Sequence, residues 1–332
     1  MDGIIKKSII FLLLFTLMIP SCSAFATPRR VTLLMGGNPN DEGFNLACIT
    51  GLEIIQKRHP QKIKTFVVNA QDAREPISDV INSAAQNSDL LIVTIPDYKE
   101  YLESVVKKNP TVKVVTFDKT DIKGLSAVVF REEEGSFLAG ALAAMITGRT
   151  DVDRLVPSKK IGLILGRDDS AMSGFKNGYI AGAWYIDRNV EVITESIGNF
   201  IDTEKCKNIA IAMKKRGVSV IFTAAGAAGL GAINAAKENG YWVIGVDNEQ
   251  EVKYPDAVLV SVVKRGGYAV YKIVSDFIAG KESGDYISIG IAEDGMNIST
   301  WTRESKHNIP ADIRNKLDEI ADKIVNKLLI IK

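Results

Sequence analysis

Residues able to recognise a small polar ring collect in short segments, each following an apolar run. After "VTLLM" come Asn38, Asn40, Asp41, Phe44 and Asn45; after "VKVVTF" comes Asp118; after "IGLILG" come Arg167, Asp168 and Asp169. "EVITESI" leads to Phe200 and Asp202, "YWVIGV" to Asp247, and "AVLVSVV" ends in Lys264. Phenylalanine offers its face to a flat ring, and aspartate accepts paired hydrogen bonds from hydroxyls or ring N–H groups. A lysine closing a run that is apolar but for Ser261 needs an anionic partner, for which Asp247 is the candidate. An aspartate at a strand end also serves as a helix cap, the plainer role for Asp202 before "TEKCKNIA". If the segments converge, they form a small-molecule site.

Other chemistries lack their residues. "GAAGLG" at 226–231 has neither the Gly-Lys-Ser/Thr of a phosphate loop nor the dinucleotide spacing G-x-G-x-x-G. Glu132, Glu133 and Glu134 point different ways on a helix and read as a solvated helix start rather than a metal site. With His59 and His307 as the only histidines, zinc sites and histidine-based triads have almost no material, so no metal, cofactor or catalytic residue is expected. A net charge of +1 gives no global field for nucleic acid.

The elements that must position these residues follow one rhythm. Strands at 31–35, 65–70, 89–96 and 112–118 alternate with helices near 44–58, 76–87 and 98–108, the pattern of βα units and a parallel sheet. After "LSAVVF" at 125–130 and a helix rich in small residues, the polar interval 149–160 separates a second series with strands from 161, 191, 218 and 241. Two further runs, 257–264 and 286–291, flank a helix, and 310–331 forms a last amphipathic helix. The chain is thus read as α/β, with two doubly wound parallel-sheet lobes joined by hinge crossovers. Lobe 1 spans 27–126 plus about 262–300, lobe 2 about 127–261, and 301–332 is a C-terminal segment whose helix packs on a lobe. Open parallel sheets bind ligands beyond the carboxyl ends of their strands, where the polar segments fall.

Residues 1–26 read as an export signal: Lys6 and Lys7, an apolar stretch from Ser8 to Pro20, then "SCSAFA". Roughly 12 apolar residues are too few to span a ~30 Å bilayer. Cleavage falls near 26/27, giving a periplasmic protein, or near 21/22, with lipid on Cys22 and anchoring at the membrane. Cys48 and Cys206 fall in helices of different lobes, as small core residues rather than a disulfide.

"NDEGFN", "VVFREEEGSFLAGALAA", "GFKNGYIAGA", "VIFTAAGAAGLGAINAAKENGYWVIGVDNEQ" and "SVVKR", in this order, resemble the basic membrane protein family of solute-binding proteins, which includes purine nucleoside receptor lipoproteins of ABC transporters. The resemblance covers about residues 31–300. It implies a type I periplasmic-binding-protein fold, a monomer that holds a nucleoside between its lobes and delivers it to an ABC permease. It further implies that Phe44 and Phe200 sandwich the base, that Asp118 reads the base edge, and that Gly226, Asp247 and Lys264 hold the ribose. Asn45 follows the phenylalanine as the family pattern requires, and Asp41 is left to fix the loop or the ligand.

The first loop departs from that pattern, with Met35 in place of an aspartate, Asn40-Asp41 in place of an Asp-Asp pair and Gly43 in place of a serine. Losing an acceptor should change which base edge is accepted, because an unmatched buried polar group costs ~1–3 kcal/mol. A ligand sensor, or a binder of another flat metabolite or sugar, remains open on the same fold. A nucleoside-processing enzyme would need clustered aspartates for a metal or a base beside a phosphate cradle, and neither spacing occurs.

Overall fold

The computed structural model describes residues 27–281 and 286–331. The expected signal segment 1–26, with Cys22, lies outside the described residues.

The first sheet is laid down by β1 (Arg29–Met35), α1 (Phe44–Arg58), β2 (Ile63–Asn69), α2 (Ile77–Gln86), β3 (Leu90–Val93), α3 (Lys99–Lys108), β4 (Lys113–Thr116) and β5 (Leu125–Phe130). The chain then crosses into α4 (Glu132–Ile146), β6 (Lys160–Leu165), α5 (Ser173–Ile186), β7 (Glu191–Ser196), α6 (Thr203–Lys215), β8 (Val220–Ala224), α7 (Leu230–Asn239), β9 (Trp242–Asp247), α8 (Gln250–Lys253) and β10 (Val258–Lys264). It returns through α9 (Gly266–Ile278) and β11 (Tyr286–Ile289), and ends with β12 (Met296–Ile298), α10 (Arg303–Asn308) and α11 (Ala311–Val325).

Among the described residues there are two six-stranded sheets, ordered β11-β5-β4-β3-β1-β2 and β12-β10-β9-β8-β6-β7, parallel except for β12. In both, the order reverses direction beside the first strand laid down, opening a crevice at the strand ends. β3, β8 and β9 are buried along their whole length, as expected of strands covered on both faces. Along β1, Leu33 faces a core shared with α4 and α5, whereas Leu34 faces the separate core under α2 and α3.

The lobe boundaries differ from the expected ones. β5 pairs with β4, Thr116 opposite Ala127, so the first crossing follows residue 130 rather than 126. β10 stays in the second sheet through Lys264, and β12 pairs with it there, so residues 262–264 and 296–298 belong to lobe 2. A three-residue strand separated by a short loop from β11 carries too little pattern to be assigned a sheet. Helix α11 packs on α4 and so extends the second lobe.

Helices α4 and α5 touch backbone to backbone. A Cβ on Gly182 would lie 1.9 Å from the Phe137 carbonyl oxygen, and one on Gly140 2.0 Å from that of Tyr179. Gly182→Ala must therefore force the helices apart; a loss of about 2 kcal/mol or more in urea unfolding is expected. Cys48 and Cys206 are buried, in α1 and α6. Among the described residues, no helix is long and apolar enough to cross a membrane.

Candidate functional site

The loop after β1 is wound by its own side chains. Asp41 accepts from the backbone N–H groups of Gly43 (2.8 Å), Asn45 (3.0 Å) and Leu46 (3.2 Å), satisfying donors that the start of α1 would otherwise leave free. Asn45 donates through Nδ2 to the carbonyls of Gly36 (3.0 Å) and Asn38 (3.2 Å). Gly37, at φ +89°, makes the turn that this closure requires. Asp41 and Asn45 thus fix the loop and set Phe44 at the first position of α1.

Phe44 belongs to an aromatic triad. Its ring meets those of Phe117 and Phe130 edge to face at centroid distances of 6.0 Å, and those two meet each other at 5.7 Å. The Lys264 Nζ lies 4.8 Å from the centroids of Phe44 and Phe130 and 5.7 Å from that of Phe175. Its charge is met at 2.8 Å by Glu132 Oε1, both side chains being 18% exposed. The anionic partner of Lys264 is therefore Glu132 rather than the expected Asp247. The expected solvated helix start is corrected with it: Glu132 pairs with Lys264 behind the cleft wall, and Glu134 accepts from Arg131 and from the Ile291 N–H.

Asp247 ends β9 in a left-handed conformation, φ +70°, and is 8% exposed. Burial pushes its carboxyl from 3.8 up to about 7; the Lys264 charge opposes that shift and the Asp41 charge adds to it. Below about pH 4 the group is protonated in folded and unfolded chains alike. From there to about pH 7 the folded chain keeps a proton that the unfolded chain has lost. The contribution of Asp247 to stability therefore declines as pH rises through that window, by at most ~1.4 kcal/mol per pH unit, and levels off above it. Asp247→Asn should remove this decline, seen as the difference between wild-type and variant urea midpoints from pH 4 to 8.

A cleft of about 430 Å³ lies between the lobes. Asp41, Phe44, Asn45, Phe200, Gly226, Asp247 and Lys264 all line it, from both sheets. Gly166 leaves room for the Phe200 ring, since a Cβ there would lie 2.2 Å from it. Two aspartates stand elsewhere. Asp118 is not on the cleft wall; it accepts from the Lys119 N–H at 2.7 Å, and the residue facing the cleft is Phe117. Asp202 caps α6 by accepting from the Lys205 N–H at 2.9 Å.

Sequence reasoning did not single out Phe117, Phe175, Thr94 and Asn199 on the wall, or Glu132 behind Lys264. Phe117 and Thr94 sit at the ends of strands already marked, where the strand-end rule could have found them. Glu132 pairs across 132 positions of sequence, and no local pattern carries that. Among the described residues, no group of three or more histidine, cysteine, aspartate or glutamate side chains is placed to hold a metal ion.

Residues 29–332 match the model of the Bmp family, described as ABC transporter substrate-binding protein PnrA-like. The chain is 28% identical to basic membrane protein A of Borreliella burgdorferi over 98% of its own length and 95% of the relative's. It is 31% identical to basic membrane protein B of Borrelia garinii over 81% of its length and 80% of the relative's. Among solved structures, an ABC transporter system solute-binding protein from Aeropyrum pernix K1 matches with a TM-score of 0.81 at 23% identity, covering 92% of this chain and 94% of that one. The architecture is thus the type I periplasmic-binding-protein fold.

Proposed function

The chain belongs to the Bmp family of PnrA-like ABC transporter substrate-binding proteins, and on that premise we propose that it captures a nucleoside, a purine one first, in its interlobe cleft and presents it to a membrane permease. Family and fold are those of a binding protein rather than an enzyme.

The observation that carries this reading is the pairing of aromatic rings with a buried acid and a lysine in one cleft. Phe44 from the first lobe and Phe200 from the second line the same space as Asp247 and Lys264. The rings stack on the base. Asp247 and Lys264 hydrogen-bond the sugar hydroxyls, with the backbone of Gly226 close to the ribose. A cleft of about 430 Å³ lies within the ~300–1,000 Å³ range of small-molecule sites. Asp118, off the wall, has no role in this reading.

Met35 is buried in the first lobe at 1% exposure and is not on the cleft wall. The wall beside it is made by Gly36, Gly37 and Asn38. In this reading the loop keeps the stacking ring of Phe44, and the carboxylate it brings to the cleft is that of Asp41. Export through residues 1–26, followed by lipid anchoring at Cys22 or release as a monomer, completes the proposal.

Liquid chromatography and mass spectrometry of small molecules released on denaturing the purified protein test it. A bound nucleoside supports the reading, and a free sugar or amino acid contradicts it. Inosine incubated with the protein should be recovered intact, whereas release of free base would indicate an enzyme.

A further inference from the structure

Several features outside the ring–acid–lysine set join the two lobes, and one of them touches an aromatic of the cleft. Arg167, two residues beyond β6 in the second lobe, donates from Nη1 to Asp97 Oδ2 at 2.6 Å and from Nη2 to Asp97 Oδ1 at 3.0 Å. Asp97 lies in the short turn after β3, in the first lobe, and both residues line the cleft. The same guanidinium lies 5.3 Å from the centroid of the Phe200 ring. Its Nε approaches Asp169 Oδ2 at 2.8 Å without an in-line hydrogen bond, a charge contact that aims the side chain from within its own lobe.

We infer that Arg167 is a positioning residue that couples closure of the lobes to the seating of Phe200: the bidentate pair with Asp97 forms only when the lobes meet, and forming it sets the guanidinium against the ring. This inference rests on the reading of Phe200 as a ligand-stacking residue.

The geometry favours this pair over an ordinary surface ion pair. Two parallel N–H···O bonds fix the guanidinium plane as well as its position, which a lysine could not do. The hydrogen bond from Arg167 holds the Asp97 carboxyl below the usual carboxylate range, so the pair stays charged down to acidic pH. Phe200 is already confined by Gly166 and by a loop in which Asn199 Oδ1 accepts from the Ile201 and Asp202 N–H groups, so the ring has little freedom except toward the cleft and Arg167. A second interlobe contact joins Glu42 to Lys253 and Tyr254, and Asn248 to the Glu42 and Gly43 carbonyls. It holds the lobes without touching Phe200.

Two readouts that need no ligand test the inference. A nitroxide on each lobe reports lobe separation by electron double resonance. Incorporated 4-fluorophenylalanine reports the Phe200 ring by 19F NMR, its resonance assigned through Phe200→Leu. In Asp97→Asn, which removes the charge with minimal risk to folding, the separation should broaden to longer distances and the Phe200 resonance should shift. Both changes should also appear in wild type at about 0.5 M salt relative to 0.05 M, because the pair is partly exposed. Nucleoside dissociation should be about fivefold faster in Asp97→Asn with association little changed, and Asp97→Asn should add little once Arg167→Met is present. If Asp97→Asn leaves either the separation or the Phe200 resonance unchanged, the coupling is overturned. If wild type binds no nucleoside, the functional proposal fails while these two readouts still decide the role of Arg167.

Discussion

Lys264→Met is expected to lower folding stability by about 3 kcal/mol and to abolish measurable nucleoside binding. Lys264 is the cation facing Glu132, at 2.8 Å, and it lowers the cost of burying Asp247. Removing it leaves two poorly hydrated carboxyl groups with no compensating charge, and breaking a buried pair from one side costs more than the pair contributes. The partial exposure of both partners, 18% each, places the loss at the lower end of that range. The double variant Lys264→Met/Glu132→Gln should recover most of the stability, because no charge is then stranded at position 132, but should not recover binding. Urea unfolding and calorimetry on the same samples separate the two effects. Recovery of binding along with stability would mean that Lys264 supports the fold only.

Phe44→Ala is expected to weaken nucleoside binding by roughly 10–100-fold, from ~1–3 kcal/mol of stacking per base. The ring loses its role in two ways. Its face is gone, and the edge contacts that hold Phe117 and Phe130 in place lose their third member. Phe44→Leu fills most of the volume without an aromatic face, so it should retain stability near wild type and still bind several-fold more weakly. Calorimetric titration of the three proteins checks the order wild type, leucine, alanine. An unchanged affinity in Phe44→Ala would remove stacking at this position from the mechanism.

Much of the site was legible because α/β topology converts sequence order into spatial convergence. Each strand ends where the next loop begins, so Phe44, Phe200, Asp247 and Lys264 were collected by one rule, and the parallel sheets bring them to one crevice. The rule fails where the sign of a residue's role depends on what packs against it. Asp41 could face ligand or loop, and its place in the chain does not say which; three backbone N–H groups tie it to the loop while it also lines the cleft. Asp118 and Phe117 are neighbours on a strand end, and the alternation of side chains turns the ring, not the carboxylate, to the cleft. Glu132 sits in a glutamate run that looks solvated in one dimension, yet the crossing from β5 to α4 carries it against a lysine from β10, behind the cleft wall. The crossings themselves were displaced by a few residues, because β5 and β12 are assigned by strand pairing rather than by composition.

The central claim is that this cleft binds a nucleoside through base stacking and sugar hydrogen bonds together. Isothermal titration of the protein, first unfolded and refolded to strip any carried ligand, with inosine, adenosine, guanosine, cytidine and uridine, and separately with ribose and the free bases, tests it most directly. One-to-one binding of at least one nucleoside, at least about 100-fold tighter than its base or ribose alone, is the expected result. Absence of heat from all five nucleosides, or ribose binding as tightly as any of them, would contradict it.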